Sequence, residues 1–308
     1  MMSSSPNPAK KPKLEIITTN PNWLELPKDL TSNILKRLGA VEILTNARNV
    51  CPYWWNICKD PFMWREIQMG TFHLYFQYAN ADAPDLDYLV KLCQYAVDLS
   101  SGHLEKIDIY RFGSDHLLQY IADRASNLRH IQLASCMRVS DEGWCEAAKK
   151  FPLLEEIDIS HGFQTKISLE VIGQNCPLLK SLVYNGMSYG GRSKCDEAFI
   201  IAKTMPGLRH LDIHKNPLTD DGLLAILDGC PLLESLNIAG CYNLDFDGSL
   251  WERLHNHIKD LHLREYYPGP YYHSFEPVCV YADSSGISYY EIVEKFVDPE
   301  FKDEDSDA

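Results

Sequence analysis

Residues 128–159 read LRHIQLASCMRVSDEGWCEAAKKFPLLEEIDI. The stretch opens and closes on nearly the same block, L-x-x-I-x-L/I, whose apolar residues alternate as they do in a short strand with one face buried. Between the copies come a serine, two acids, a run with helical spacing and a proline. Serine at a helix start accepts hydrogen bonds from free backbone N–H groups, acids in the first turn suit the helix dipole, and proline stops a helix. One strand and one helix therefore fit between one block and the next.

The block recurs along the chain. LEKIDI starts at Leu104, LRHIQL at Leu128, LEEIDI at Leu154, LKSLVY at Leu179, LRHLDI at Leu208, LESLNI at Leu233 and IKDLHL at Ile258, at intervals of 24, 26, 25, 29, 25 and 25 residues. Helix-like segments fill the gaps, opening at Ser114, Ser140, Ser168, Lys194 and Thr219, and Pro152, Pro177, Pro206 and Pro231 follow the later ones. A single unit has nowhere to bury its leucines, so neighbours must stack. The expected fold is α/β, a horseshoe with parallel strands inside and helices outside. Residues 85–99, DLDYLVKLCQYAVDL, are expected to form the helix of a longer first unit, and Trp64-x-x-Ile67-x-Met69 already follows the strand pattern. The segment before Met69 should thus run into the ladder through a rigid joint.

Composition narrows the function classes. Of 308 residues, 45% are apolar and 23% charged, an ordinary balance for a folded chain. The net charge of −14 is unevenly spread: nine Lys/Arg stand against six Asp/Glu up to Met69, and twenty against thirty-seven beyond it. An acidic array disfavours nucleic acid, whose phosphates need a basic surface. No run reaches the eighteen or so apolar residues of a membrane span, and MMSSSPNPAKKPK lacks an export-type apolar core. The ten cysteines are scattered and no N-x-S/T acceptor occurs. Reduced thiols and residence in the nucleus and/or cytoplasm are expected, with no membrane partner.

Residues 23–69 form a separate signal: WLELPKDLTSNILKRLGAVEILTNARNVCPYWWNICKDPFMWREIQM. Leu30, Ile34, Leu35 and Leu38 fall on one helical face in this reading, and a second short helix lies in VEILTNARNV. So few residues build only a small core, which leaves apolar side chains exposed unless a partner covers them. The arrangement LP-x-D-L-x-x-x-I-L-x-x-L, then V-C-x-x-W and D-P-x-x-W, resembles the F-box. From Leu104 the chain resembles leucine-rich repeats of the cysteine-containing subtype: Cys136, Asn216 and Cys241 match the C/N position, whereas Phe112, Gly162 and Met187 depart from it. The pairing looks most like plant F-box/leucine-rich-repeat proteins.

That resemblance implies a substrate-recognition subunit of an SCF-type ubiquitin ligase. A Skp-type adaptor, and through it a cullin-RING complex, would bind at Leu26, Pro27, Leu30, Ile34, Leu35, Cys51 and Trp54. It implies a non-catalytic chain with no cofactor and no metal. The implied organisation is a tail over 1–20, the F-box over 21–69, repeats over 70–264, a cap or extension over 265–297 and an acidic tail over 298–308. A scaffold or ligand-sensing receptor acting without ligase activity is the alternative.

In such a ladder the residues flanking the buried leucines face the concave side. The middle column is Asp108, Gln132, Asp158, Val183, Asp212, Asn237 and His262, with His214 in the column beside it. Asp108, Gln132, Asp158, Asp212, His214 and Asn237 are the candidate contacts to a protein target, which should be basic or rich in hydrogen-bond donors. Two other motifs carry little weight. Gly186-x-Ser188-x-Gly190 has the spacing of a hydrolase nucleophile but lies in the 29-residue interval, as a loop insertion would. His255, His257 and His262 lack the spacing of a zinc site.

Overall fold

A computed structural model describes residues 23–69, 86–185, 196–241, 243–245 and 249–263, all within one compact unit, Met1–Leu263. The tail over 1–20, the Gly186–Gly190 motif and the cap and tail beyond Leu263 lie outside the described residues.

Eight short strands build one parallel sheet in chain order: β1 (Glu66–Gln68), β2 (Lys106–Tyr110), β3 (His130–Ala134), β4 (Glu156–Asp158), β5 (Ser181–Val183), β6 (His210–Asp212), β7 (Ser235–Asn237) and β8 (Asp260–His262). Their register is the register of the sequence blocks, with Ile67, Ile107, Ile131, Ile157, Leu182, Leu211, Leu236 and Leu261 aligned strand to strand. The first leucines of the blocks, Leu104 to Leu233, are at most 3% exposed, and Ile258 is 5% exposed. Each such side chain stabilises the fold by roughly 1.5–3 kcal/mol relative to leaving it in water.

Helices return the chain between strands: α4 (Leu86–Leu99), α5 (Asp115–Ala122), α6 (Asp141–Ala147), α7 (Lys166–Asn175), α8 (Asp196–Thr204), α9 (Asp220–Gly229) and α10 (Ser249–His257). They follow the N-terminal α1 (Lys28–Leu35), α2 (Ala40–Thr45) and α3 (Pro52–Cys58). Ser114, Ser140 and Thr219 cap α5, α6 and α9 through their side-chain oxygens, as the sequence predicts. The helix expected to open at Ser168 instead starts at Lys166 under a Thr165 cap. Helix packing is close enough that a Cβ on Gly229 would meet the Ala202 carbonyl oxygen at 2.2 Å.

The acid that opens one helix also binds the chain that leads into the next helix, at its cap in two cases. Asp115 accepts the Ser140 N–H and hydroxyl, both at 2.7 Å. Asp141 accepts the Thr165 N–H at 2.9 Å and hydroxyl at 2.7 Å, and also the hydroxyl of buried Ser168. Asp220 accepts the Asp245 N–H at 3.0 Å. These bonds explain the Thr165 cap: Asp141 holds Thr165 and Ser168 at once, so the helix must begin between them.

Burial works to raise the pKa of Asp141, but the Ser168 and Thr165 hydrogen bonds outweigh it and hold the carboxyl below its usual range. Asp141→Ala, which leaves the Ser168 hydroxyl without its acceptor, is expected to cost about 2–3 kcal/mol at pH 7. Since the folded-state pKa is depressed, the stabilisation is present above the ordinary carboxylate value near about pH 4 and is lost as pH falls through the folded value. Urea unfolding should therefore show the gap between wild type and variant narrowing as pH falls below about 4; a gap that does not change with pH assigns the cost to packing instead.

Candidate functional site

The N-terminal helices present an apolar surface that is exposed among the described residues. Pro27 precedes α1, its carbonyl accepting the Thr31 N–H at 3.0 Å, and the Tyr53 hydroxyl donates to the Leu26 carbonyl at 2.8 Å, which fixes the approach to α1. Along α1 and the 3-10 turn after it (Lys36–Leu38), Leu30, Ile34 and Leu38 are 49%, 41% and 44% exposed, whereas Thr31 and Leu35 are 2% and 0% exposed. Side chains four apart lie about 40° apart around a helix axis, while Leu35 lies about 140° from Leu30. Leu35 therefore turns into the core and is removed from the partner-facing set. Val50 also stands out at 63% exposed.

Trp55 and Trp64 serve the joint rather than this stripe. Trp64, fully buried, donates its indole N–H to the Cys58 carbonyl at 2.8 Å immediately before β1. The Arg48 guanidinium lies 5.4 Å from the ring centres of both Trp55 and Tyr95, bridging the N-terminal helices to α4. Phe62 packs against His103 with ring centres 4.9 Å apart and the rings tilted by 55°. Cys51 caps α3 through a sulfur that accepts the Trp54 N–H at 3.5 Å, and both residues are half-buried.

A second surface is the exposed face of the sheet. Asp108, Gln132, Asp158, Val183, Asp212, Asn237 and His262 align in one column by strand pairing. Neighbours bind each other along it. Gln132 donates its amide to Asp158 at 2.8 Å, and Asn237 donates to Asp212 at 2.9 Å. His130 lies between Glu156 at 2.9 Å and Asp108, also at 2.9 Å, although the latter approach is off the line of an aligned hydrogen bond. Burial acts to lower the His130 pKa, but the carboxylates of Asp108 and Glu156 prevail and raise it.

His214 is locked in one tautomer. Asn185 Oδ1 accepts the His161 N–H at 3.0 Å, so its amide nitrogen faces His214 Nε2 at 2.7 Å and donates to it. Nδ1 must then carry the proton that His214 gives Asp212 Oδ1 at 2.6 Å. Burial pushes Asp212 upward, yet the bonds from His214 and Asn237 outweigh it and hold the carboxyl below its usual range.

A family model for the F-box-like domain matches residues 23–69, and one for the leucine-rich repeat matches residues 206–227. F-box/LRR-repeat protein 23 of Arabidopsis thaliana is 43% identical over 266 residues, covering 84% of this chain and 56% of that protein. F-box/LRR-repeat protein 9 and F-box protein SKIP19, both of Arabidopsis thaliana, are 45% and 43% identical, covering 74% and 84% of this chain and 92% and 81% of theirs. The chain is an F-box/leucine-rich-repeat protein. The α/β reading, a helical F-box followed by a parallel-strand array, is its observed fold.

Within the F-box, Leu30 and Ile34 share the exposed stripe, Pro27 is exposed beside it and Leu26 is half-buried. Sequence reasoning left Leu38 and Val50 out of the partner set, though the four-residue spacing 30/34/38 was the available signal for the first. On the array, the six nominated residues lie on one face, with His214 bound to Asp212 rather than projecting alone. Cys136 reads as structural: burial pushes its thiol up to about 12, too high for a nucleophile at neutral pH. Among the described residues no His, Cys, Asp and Glu group is placed to hold a metal ion.

Proposed function

We propose that this F-box/leucine-rich-repeat protein is the substrate-recognition subunit of an SCF-type ubiquitin ligase, acting in the nucleus or cytoplasm. The F-box binds a Skp-type adaptor that links it to a cullin-RING complex, and the concave face of the array binds the protein to be ubiquitinated and degraded. The observation that carries this reading is the exposed aliphatic stripe Leu30, Ile34 and Leu38 on a domain joined to the array through β1. The chain contributes no chemistry of its own. It contributes position, since a target held at a fixed distance and direction from the charged conjugating enzyme reacts as if at high effective concentration.

The target surface is acidic. Glu66, Asp108, Glu156, Asp158, Asp212 and Asp260 lie on the exposed positions of the strands, against the single ammonium of Lys106. A target recovered by affinity capture under proteasome block should be ubiquitylated in a reconstituted assembly. Asp158→Lys combined with Asp212→Lys should reduce its capture by more than about tenfold while adaptor binding persists. Unchanged capture removes the concave face from the mechanism.

A further inference from the structure

A hollow of ≈220 Å³ opens on the concave face across β5 to β8, lined by Ser181, Val183, His210, Asp212, Asn237 and His262, with Ser235 beside them. Only one carboxylate, that of Asp212, lines it, and its partners are His214 and Asn237. Oδ1 accepts both the His214 backbone N–H and the His214 ring N–H, and Oδ2 accepts the Asn237 amide. An ionised carboxylate has about four acceptor directions, so Oδ1 is filled and Oδ2 keeps one.

Asp158 in the same column is bound by neutral groups, Gln132 and the Ser160 N–H, but it does not line the hollow, whereas carboxylates on the rim meet cations. Along the rim, Glu155 lies between Arg129 and Lys180, and Glu234 between Arg209 and Lys259. Lys180 and Arg209, which immediately precede β5 and β6, are thus engaged away from the hollow. Among the described residues no Lys or Arg pairs with Asp212. Its negative charge faces the hollow without a Lys or Arg countercharge among the described residues.

We propose that the hollow seats one lysine side chain of the captured protein, its ammonium on Asp212 Oδ2 and its methylenes over Val183. The inference rests on reading the concave face as the target surface. An ammonium suits the site better than a guanidinium. The two-pronged arginine contact needs both carboxylate oxygens, and Oδ1 is already filled. The three ammonium N–H groups find Asp212 Oδ2, the Ser235 hydroxyl oxygen, whose proton goes to Asp260 at 3.2 Å, and Asn237 Oδ1, which spends one lone pair on the Ala239 N–H. A lysine held here is withdrawn from ubiquitin transfer, and its acetylation, by removing the charge, releases the target.

The full chain bound to its adaptor is titrated with the peptide acetyl-Gly-Gly-Lys-Gly-Gly-amide, and with its acetyl-lysine and arginine counterparts, while the ring NMR signals of His210 and His262 are followed. The lysine peptide should shift both signals, and the acetyl-lysine and arginine peptides should bind more weakly, by about tenfold for the former. Asp212→Asn should weaken the lysine peptide by a similar factor. Val183→Lys, in register beside Asp212, supplies an ammonium from within the chain and should block binding while residue 212 stays aspartate. No response to the lysine peptide, equal binding of either counterpart, or affinity retained within about twofold by Asp212→Asn or Val183→Lys overturns the seat. Co-purification of the adaptor in the same preparation reports on the F-box independently, so failure here does not bear on adaptor binding.

Discussion

Replacing Leu30 and Ile34 together by aspartate is expected to abolish co-purification with a Skp-type adaptor while the array stays folded. Both side chains are already more than 40% exposed, so the substitutions place charges in water in the free protein. In the complex the same charges would be covered without counterparts. Even partial coverage costs several kcal/mol, and affinity should fall by at least about a hundredfold. Leu35→Ala is the contrasting variant. Leu35 is fully buried, so truncation should lower stability by about 2–5 kcal/mol and weaken adaptor binding only as far as α1 loosens. Far-UV circular dichroism melts run beside the pull-down separate the two effects; normal adaptor recovery by the double aspartate variant would exclude this stripe as the docking surface.

Trp64→Ala should be the most damaging single change at the joint. The side chain is 1% exposed, its indole holds the Cys58 carbonyl, and it stands directly before β1, whose Ile67 is paired with Ile107. Losing a buried tryptophan costs about 3–5 kcal/mol, a large share of the stability of an ordinary domain. The loss falls where the F-box meets the array, so hydrogen exchange should accelerate in α1, α3 and β1 before it does in β4 to β6. Ubiquitin transfer in a reconstituted assembly should drop even at concentrations where target and adaptor both remain bound, because orientation is what the joint supplies. Exchange that rises evenly across all strands would place Trp64 in the general core and not in the joint.

The array was legible because each block repeats the same choice of faces. Once Leu104, Leu128 and Leu154 are placed inside, the column Asp108, Gln132, Asp158 follows from strand alternation, and pairing puts it there. The F-box was legible in its motif but not in its facing. Spacing arguments break down in a helix of eight residues running into a 3-10 turn, where Ile34 and Leu35 are adjacent in sequence and the small core takes only one of them. The Thr165 cap was hidden for another reason, since both Thr165 and Ser168 suit a helix start and an acid 24 residues before Thr165 decides between them. Contacts such as Arg48 with Tyr95, or Asn185 with His214, depend on side-chain reach between distant segments, which no local pattern encodes.

The carboxylates that open α5, α6 and α9 all reach forward, to the start of the unit that follows. This gives the solenoid a polarity. Removing a unit from the β8 end frees an acid into water, which solvates it readily, whereas removing one near β2 strips a backbone N–H of its acceptor. Fraying should therefore set in at the end remote from the F-box and travel toward it, leaving the portion joined to the F-box as the last to lose its shape.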